Sequence, residues 1–133
     1  MTTAQKTIEI IAIGDELTSG RIQNTTSHFA ARQFFDSGWD ICAMNTIGDD
    51  PRRIGEALQR ALRRADAVVV TGGLGSTDDD LTTEAVCSAR GLPTERNAAV
   101  LAALRDSTEG EGPLPPGLEK LALLPRGAVP FDP

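Results

Sequence analysis

The sequence predicts an α/β protein whose sheet is largely parallel and covered by helices on both faces. Three apolar, β-branched runs predict strands at residues 8–13, 39–47 and 66–71, and helical spacing of apolar residues follows each one. Strands that alternate with helices favour right-handed βαβ units and a parallel sheet. A length of 133 residues is that of one domain, so we expect residues 1–133 to form a single unit.

The first strand and helix are marked by glycines. Residues 8–13 are nearly continuous β-branched sequence up to Gly14, which predicts a strand buried on both faces. A helix is predicted for residues 26–36, with Gly38 as the residue that follows its last turn. The second predicted strand, residues 39–47, comes next.

The helix after the second strand has the clearest pattern. Asp50 followed by Pro51 predicts its cap and first turn. Its apolar residues recur at helical spacing, and they are Ile54, Ala57, Leu58, Ala61, Leu62 and Ala65. The opposite face mixes arginines with Glu56, which on a chain of net charge −6 predicts a solvated face rather than a nucleic-acid patch.

The remaining part predicts one strand and two helices before its composition changes. We expect a strand at residues 66–71, a helix at 82–90 closed by Gly91, and a short helix at 97–106. Glycine and proline in residues 107–117 predict a surface loop. The apolar residues 121–131 that follow predict a domain interrupted before its last elements.

The composition favours a small-molecule partner. Nineteen acidic against thirteen basic residues oppose nonspecific contact with nucleic acid or with an anionic membrane surface. Every apolar run is too short to cross a bilayer, and the first residues lack the plan of a signal peptide, so we predict a cytoplasmic protein. We expect Cys42 and Cys87 to be buried thiols and His28 to be a helix-surface residue.

A glycine-rich stretch at residues 71–82 is a candidate binding site. Glycine occupies positions 72, 73 and 75, and a backbone that is free to take positive φ brings N–H groups together around an anion. The stretch lacks the Gly-Lys-Ser/Thr of a Walker loop and the third glycine of a dinucleotide fingerprint, which excludes both motifs. We therefore expect these amides, with those of the following helix, to bind a phosphate group.

Three carboxylates follow these glycines, those of Asp78, Asp79 and Asp80. They would repel a phosphate unless a divalent cation lay between them, and Mg²⁺ suits both kinds of oxygen. The alternative interpretation is that these aspartates only cap a helix and border a solvated turn.

All three predicted strands end in similar loops. Residues 14–16, 48–50 and 72–80 each combine glycine with acidic side chains. Because the carboxyl ends of parallel strands share one edge, where ligands bind, the three loops favour a functional site over independent caps. The sequence has one histidine, which gives little support to a histidine-based triad or a zinc cluster. It also contains no Gly-x-Ser-x-Gly motif that would place a nucleophilic serine.

Five motifs of this sequence occur together in one known family. They are residues 14–20 (GDELTSG), 24–25 (NT), 31–32 (AR), 47–50 (IGDD) and 71–86 (TGGLGSTDDDLTTEAV). In this order and at this spacing they resemble the N-terminal domain of competence/damage-inducible protein A, part of the molybdopterin-binding superfamily of the MoaB and Mog proteins. The resemblance runs from about residue 8 to the end.

The resemblance implies a three-layer α/β/α fold, often a homo-oligomer such as a dimer or trimer. It implies binding of a molybdopterin or an adenine-nucleotide pyrophosphate, with hydrolysis of ADP-ribose-type pyrophosphates or adenylyl transfer as the possible reactions. Asp49 and Asp80 would be catalytic, and Asp79 and Asp80 would hold a divalent cation, expected to be Mg²⁺. Together with the loop pattern, it predicts these ligand-binding residues: Gly14, Asp15, Glu16, Asn24, Thr71, Gly72, Gly73, Gly75, Ser76, Thr77, Thr82 and Lys120.

The sequence departs from the family pattern in two places. Ser76 stands where the family usually has proline, and residues 118–122 keep Lys120 but lose two amide side chains. Three hypotheses follow: a Mg²⁺-assisted enzyme acting on a pyrophosphate, a binding module that holds a pterin or nucleotide without turnover, and a structural domain with vestigial loops.

Overall fold

A three-stranded parallel sheet is the centre of the computed structural model, which describes residues 3–108 and 112–131. The strands are β1 (Thr7–Ile13), β2 (Asp40–Ile47) and β3 (Ala67–Thr71). β1 lies between the other two and pairs with each of them in parallel. The predicted α/β class and largely parallel sheet are confirmed.

Six helices and a small ribbon complete the chain. The helices are α1 (Asp15–Thr18), α2 (Thr25–Asp36), α3 (Pro51–Arg64), α4 (Thr82–Arg90), α5 (Ala98–Ser107) and α6 (Pro116–Glu119), counted over the described residues. A 3₁₀ turn follows α6 at Lys120–Ala122. The ribbon pairs β4 (Thr94–Arg96) with β5 (Leu123–Pro125) in antiparallel fashion. No helix within residues 3–108 and 112–131 has the length and apolar character that a bilayer span requires.

The core lies on both faces of β1. Residues 8–13 each expose 1% of their surface or less. Ile11 and Ile13 pack against the apolar stripe of α3, and α4 extends the same cluster through Ala85. Because side chains alternate along a strand, Ile10 and Ala12 point to the other face, where α2 packs. The sheet therefore has helices on both sides, as the three-layer prediction requires.

A buried carboxylate interrupts this apolar strand. Glu9 is 0% exposed and accepts hydrogen bonds from Asn45 Nδ2 at 2.7 Å and from Arg64 Nε at 3.2 Å. A second guanidinium nitrogen of Arg64 donates to the same carboxylate, and this hydrogen bond raises the pKa of Arg64. A charge can be buried at this depth only because it is paired in this way.

Most predicted element boundaries agree with the structure, and two predictions were wrong. Cys87 is buried, but Cys42 is exposed, because it lies at one of the alternating positions of β2 that face solvent. The predicted loop at residues 107–117 overlaps α6, which begins at Pro116 because proline is well suited to a first helical turn. Its residues 109–111 lie outside the described ones. His28 is exposed on α2, as predicted.

Candidate functional site

The three acidic loops lie at one edge of the sheet. β1, β2 and β3 run in parallel, with Ile13 paired to Ile47 and Ala12 paired to Thr71. The first two loops begin side by side, because Gly14 N donates to the carbonyl oxygen of Ile47, the last residue of β2, at 2.9 Å. The prediction of a common edge is confirmed.

Asp15 and Asp49 connect the first two loops through reciprocal hydrogen bonds. Asp15 N donates to Asp49 Oδ2 at 3.1 Å, and Asp49 N donates to Asp15 Oδ1 at 2.9 Å. A Cβ on Gly48 would lie 2.7 Å from Asp15 Oδ1, so the pairing depends on glycine there. We call this pair of residues the aspartate clasp. It fixes two predicted site carboxylates beside each other.

Asp50 has a different task in the same loop. It is the N-cap of α3, and its carboxylate accepts a hydrogen bond from Arg53 N at 3.0 Å. That N–H group lowers the pKa of Asp50, because it stabilises the ionised form. The predicted capping role is confirmed.

The glycine loop, residues 72–81, is closed by its own polar groups. Asp80 Oδ2 accepts hydrogen bonds from Thr77 N at 2.9 Å and from Thr77 Oγ1 at 2.7 Å. The Thr77 hydroxyl, followed by the N–H groups of Thr77 and Gly75, holds the pKa of Asp80 below its ordinary value. The N-cap of α4 is Leu81, so the interpretation of Asp80 as a helix cap was wrong. Its carboxylate closes a turn instead.

The glycines allow this loop to pack closely on β1. Gly72 has a φ of 86°, and a Cβ there would lie 2.0 Å from the carbonyl oxygen of Ile13. Gly73 has a φ of 64°, and its Cβ would lie 2.3 Å from Thr82 Oγ1. That hydroxyl donates to the carbonyl oxygen of Gly72 at 2.6 Å, and Thr82 is only 2% exposed. The buried Thr82 side chain therefore fixes the start of the loop through this hydrogen bond.

Lys120 reaches the same loop from the 3₁₀ turn. Its Nζ donates to the carbonyl oxygen of Asp80 at 2.6 Å and to that of Thr77. The lysine that the family pattern singled out thus contacts the loop's backbone.

Eight of the predicted site residues line one of two cavities beside the glycine loop, whereas Gly14, Asp15, Asp49 and Thr82 line neither. The strand-end cavity, of about 220 Å³, is lined by Glu16, Asn24, Thr71 and Gly72 among the predicted residues. The second cavity, of about 210 Å³, is lined by Gly73, Gly75, Asp80 and Lys120, together with four leucines. Ser76, Thr77, Asp78 and Asp79 are exposed on the loop's surface. A larger apolar cavity of about 330 Å³, between α3, α4 and β3, contains none of the predicted site residues among those that line it in the described chain.

The N-terminus of α2 forms one wall of the strand-end cavity. Asn24 is its N-cap, with Oδ1 accepting from Ser27 N at 3.1 Å and Nδ2 donating to Thr46 Oγ1 at 3.4 Å. Thr25 and Thr26 line the cavity beside it, although the sequence pattern did not single them out as site residues. The asparagine followed by two threonines is a signal for such a helix start. A helix N-terminus carries partial positive charge, which favours an anion.

The described residues could bind a divalent cation only together with a ligand that supplies further oxygen atoms. Among the described residues, no group of three or more acidic, histidine or cysteine side chains is arranged to hold a metal ion. Mg²⁺ is commonly bound by one or two carboxylates together with a substrate phosphate and water. Glu16 is an exposed carboxylate that lines the strand-end cavity, and it suits this shared mode.

Comparison with known proteins gives a consistent result. Residues 9–130 match a family model described as "Probable molybdopterin binding domain". The chain is 63% identical over 127 residues to a CinA-like protein of Desulfotalea psychrophila, covering 95% of this chain and 31% of that protein. It is 43% identical over 122 residues to a CinA-like protein of Syntrophus aciditrophicus, covering 91% of this chain and 29% of that one. The chain thus spans about a third of the length of these relatives.

Solved structures agree with this similarity. The protein CinA from Thermoplasma acidophilum superposes with a TM-score of 0.85 at 30% identity, covering 91% of this chain and 71% of that one. The molybdopterin biosynthesis enzyme MoaB from Thermus thermophilus superposes with a TM-score of 0.59 at 22% identity, covering 91% of this chain and 79% of that one. The second likeness concerns the fold alone.

Proposed function

The chain belongs to the molybdopterin-binding domain family, and from that premise we propose that it binds the phosphate group of a pterin or of an adenine nucleotide. The ligand's phosphate would occupy the strand-end cavity, between the end of β3 and the N-terminus of α2. The observation that carries the proposal is the convergence of Thr71, Gly72 and the first residues of α2 on one cavity of about 220 Å³.

The chemistry of this cavity suits an anion shared with a cation. Asn24, Thr25 and Thr26 offer polar side chains beside the positive end of a helix. Glu16 places a carboxylate in the same cavity, and a divalent cation between it and the phosphate would offset their repulsion. When bound, Mg²⁺ would supply this charge compensation.

Calorimetry with AMP, ADP-ribose and a pterin phosphate, each with and without Mg²⁺, tests the proposal. We expect micromolar to millimolar binding of at least one of them and weaker binding in EDTA. Absence of heat with every ligand would reject the proposal, and equal affinity in EDTA would reject the cation.

A matched pair of variants locates the phosphate. Asn24→Asp keeps a good helix cap and adds a negative charge to the cavity wall, so binding should weaken about tenfold or more. Asn97 is the N-cap of α5 with the same geometry, because its Oδ1 accepts from Val100 N at 3.0 Å. Asn97→Asp should therefore leave binding unchanged, and an equal loss in both variants would place the phosphate elsewhere.

A catalytic form of this function is the second candidate, and the aspartate clasp favours it. Asp15 and Asp49 lie side by side at the edge that carries the cavity. In ADP-ribose hydrolysis, water would attack one phosphorus of the pyrophosphate, giving AMP and ribose 5-phosphate. In adenylyl transfer, a pterin phosphate oxygen would attack the α-phosphorus of ATP, forming a new phosphoanhydride and releasing pyrophosphate. Chromatography of overnight reactions with Mg²⁺ distinguishes these reactions from binding alone.

The proposal also includes a cytoplasmic location and assembly as a dimer or trimer. Sedimentation of the purified chain at several concentrations measures that assembly, and a monomer at all concentrations would contradict it.

A further inference from the structure

Lys120 joins two parts of the chain that are distant in sequence. Its Nζ donates to the carbonyl oxygens of Thr77 and Asp80, which lie 43 and 40 residues earlier. We propose that Lys120 is a positioning residue: by holding residues 77–80, it fixes the glycine loop, whose Gly72 lines the strand-end cavity, in the conformation that ligand binding needs. This inference rests on the proposed function, since it assigns a role within the same edge of the sheet.

The ammonium group is already engaged with the protein. An ammonium has three protons to donate, and two of them are directed to the carbonyl oxygens of Thr77 and Asp80. The geometry therefore favours action through the loop.

The two carbonyl groups belong to the residues that close the turn. Asp80 N donates to the carbonyl oxygen of Thr77 at 3.1 Å, and Thr77 N donates to Asp80 Oδ2 at 2.9 Å. Lys120 therefore connects both ends of an already closed turn. Its charge also offsets the repulsion among the carboxylates of residues 78–80.

The segment that carries Lys120 is itself anchored on two sides. Ala122 is 0% exposed, and its carbonyl oxygen accepts from Asn97 N at 2.8 Å, at the start of α5. Gly117 lies against the loop, since a Cβ there would be 3.4 Å from the carbonyl oxygen of Ser76. Lys120 therefore extends from a fixed base, and its hydrogen bonds restrain the turn.

Amide hydrogen exchange of the unliganded protein tests this inference independently of any ligand. In Lys120→Met, which keeps an apolar stem and removes the donors, the amides of Thr77 and Asp80 should exchange about tenfold faster or more. Lys120→Arg keeps the donors and should stay close to the natural protein. Lys6→Met removes the same charge from an exposed position before β1 and should leave these amides unchanged. Unaltered exchange in Lys120→Met would overturn the proposal.

Titration with ADP-ribose and Mg²⁺ adds the functional readout. We expect about tenfold weaker binding in Lys120→Met, recovery in Lys120→Arg, and a melting temperature of both variants near that of the natural protein. Lost binding with unaltered exchange would indicate a direct ligand contact, and faster exchange with unaltered binding would make the contact irrelevant to the site. Either result overturns the positioning role.

Two further outcomes are separable from these. If the natural protein binds no ADP-ribose, the pterin phosphate replaces it as the probe, and failure of both rejects the proposed function while the exchange experiment still decides the contact. If Lys120→Met does not fold, Lys120→Gln takes its place, because its side chain stays polar but its amide nitrogen ends one bond short of the position of the lysine ammonium. Its exchange rates should lie between those of the natural protein and about tenfold faster, and natural rates would overturn the proposal.

Discussion

The loop after β2 and the loop after β3 share glycine and aspartate in sequence but are held by different means. In the loop at residues 48–50, Asp49 and Asp50 bond to backbone N–H groups outside the loop, at Asp15 and Arg53. In the glycine loop, Asp80 bonds back to Thr77 inside the loop. The aspartate side chains of the short loop thus bond outside it, whereas the Asp80 side chain closes the long loop on itself. Similar residues after a strand therefore do not imply similar roles.

The largest expected effect comes from the contact between the glycine loop and β1. Gly72→Ala would place a Cβ 2.0 Å from a backbone carbonyl oxygen of β1, which cannot move without disturbing the core. We expect a loss of about 3 kcal/mol or more in the free energy of unfolding. Gly38 has a similar φ of 92° with no described atom within 4 Å of its Cβ position, so Gly38→Ala should cost only about 1 kcal/mol. Equal losses of unfolding free energy in the two variants, measured by urea unfolding, would contradict the close contact between Gly72 and β1.

A second glycine pair sharpens the comparison. Gly73 and Gly91 have φ values of 64° and 65°, but only Gly73 has a neighbour close to its Cβ position among the described residues, the Thr82 hydroxyl at 2.3 Å. Gly73→Ala should therefore lose about 1–2 kcal/mol more than Gly91→Ala, because the hydrogen bond from Thr82 to Gly72 is displaced. The same urea experiment measures the difference, which vanishes if the hydroxyl simply rotates away.

The two proposed catalytic aspartates allow a direct test of the loops. Asp49→Asn and Asp80→Asn keep an acceptor oxygen for the observed N–H groups but remove the charge. If both carboxylates serve a shared cation, each variant should lose about tenfold or more in Mg²⁺-dependent binding of ADP-ribose, with little change in melting temperature. If one variant binds ADP-ribose and Mg²⁺ as the natural protein does, only the carboxylate in the other loop is needed for binding.

The smallest expected effect is on the acid dependence of stability. The pKa values of Asp50 and Asp80 are held below the ordinary value of 3.8, chiefly by the Arg53 N–H and by the Thr77 hydroxyl. Their contribution is therefore present above about pH 3.8 and is lost as the pH falls through the lowered pKa values. Asp50→Asn should therefore flatten the fall of the melting temperature slightly below about pH 3.8. Parallel curves of melting temperature against pH for the variant and the natural protein would show that the Asp50 carboxylate makes no such contribution.

Sequence periodicity predicted the framework because the framework depends on local patterns. The apolar stripe of α3 and the β-branched run of β1 predict which of their residues are buried. Asp50 and Gly91 mark helix ends by their own residue type. Parallel strands then place the three loops at one edge without further information. The meeting of the three acidic loops at one edge of the sheet could therefore be predicted.

The details of the site depend on contacts between distant segments. Asp15 and Asp49 are 34 residues apart, and no local pattern indicates that their side chains bond to each other's backbone. The strands β4 and β5 have 3 residues each, which is too short for a detectable alternation. The metal-binding roles predicted for Asp79 and Asp80 stay predictions.

The distance of Lys120 from the loop that it contacts bears on how the protein is synthesised. All three strands of the parallel sheet are complete once residue 71 has left the ribosome, whereas the contact with Thr77 requires residue 120. Contacts between segments far apart in sequence form late, because a longer stretch of chain must first be closed into a loop. A nascent chain that stops between these points would have its sheet but an unrestrained glycine loop. The restraint that Lys120 places on residues 77–80 therefore forms only after the three strands are complete.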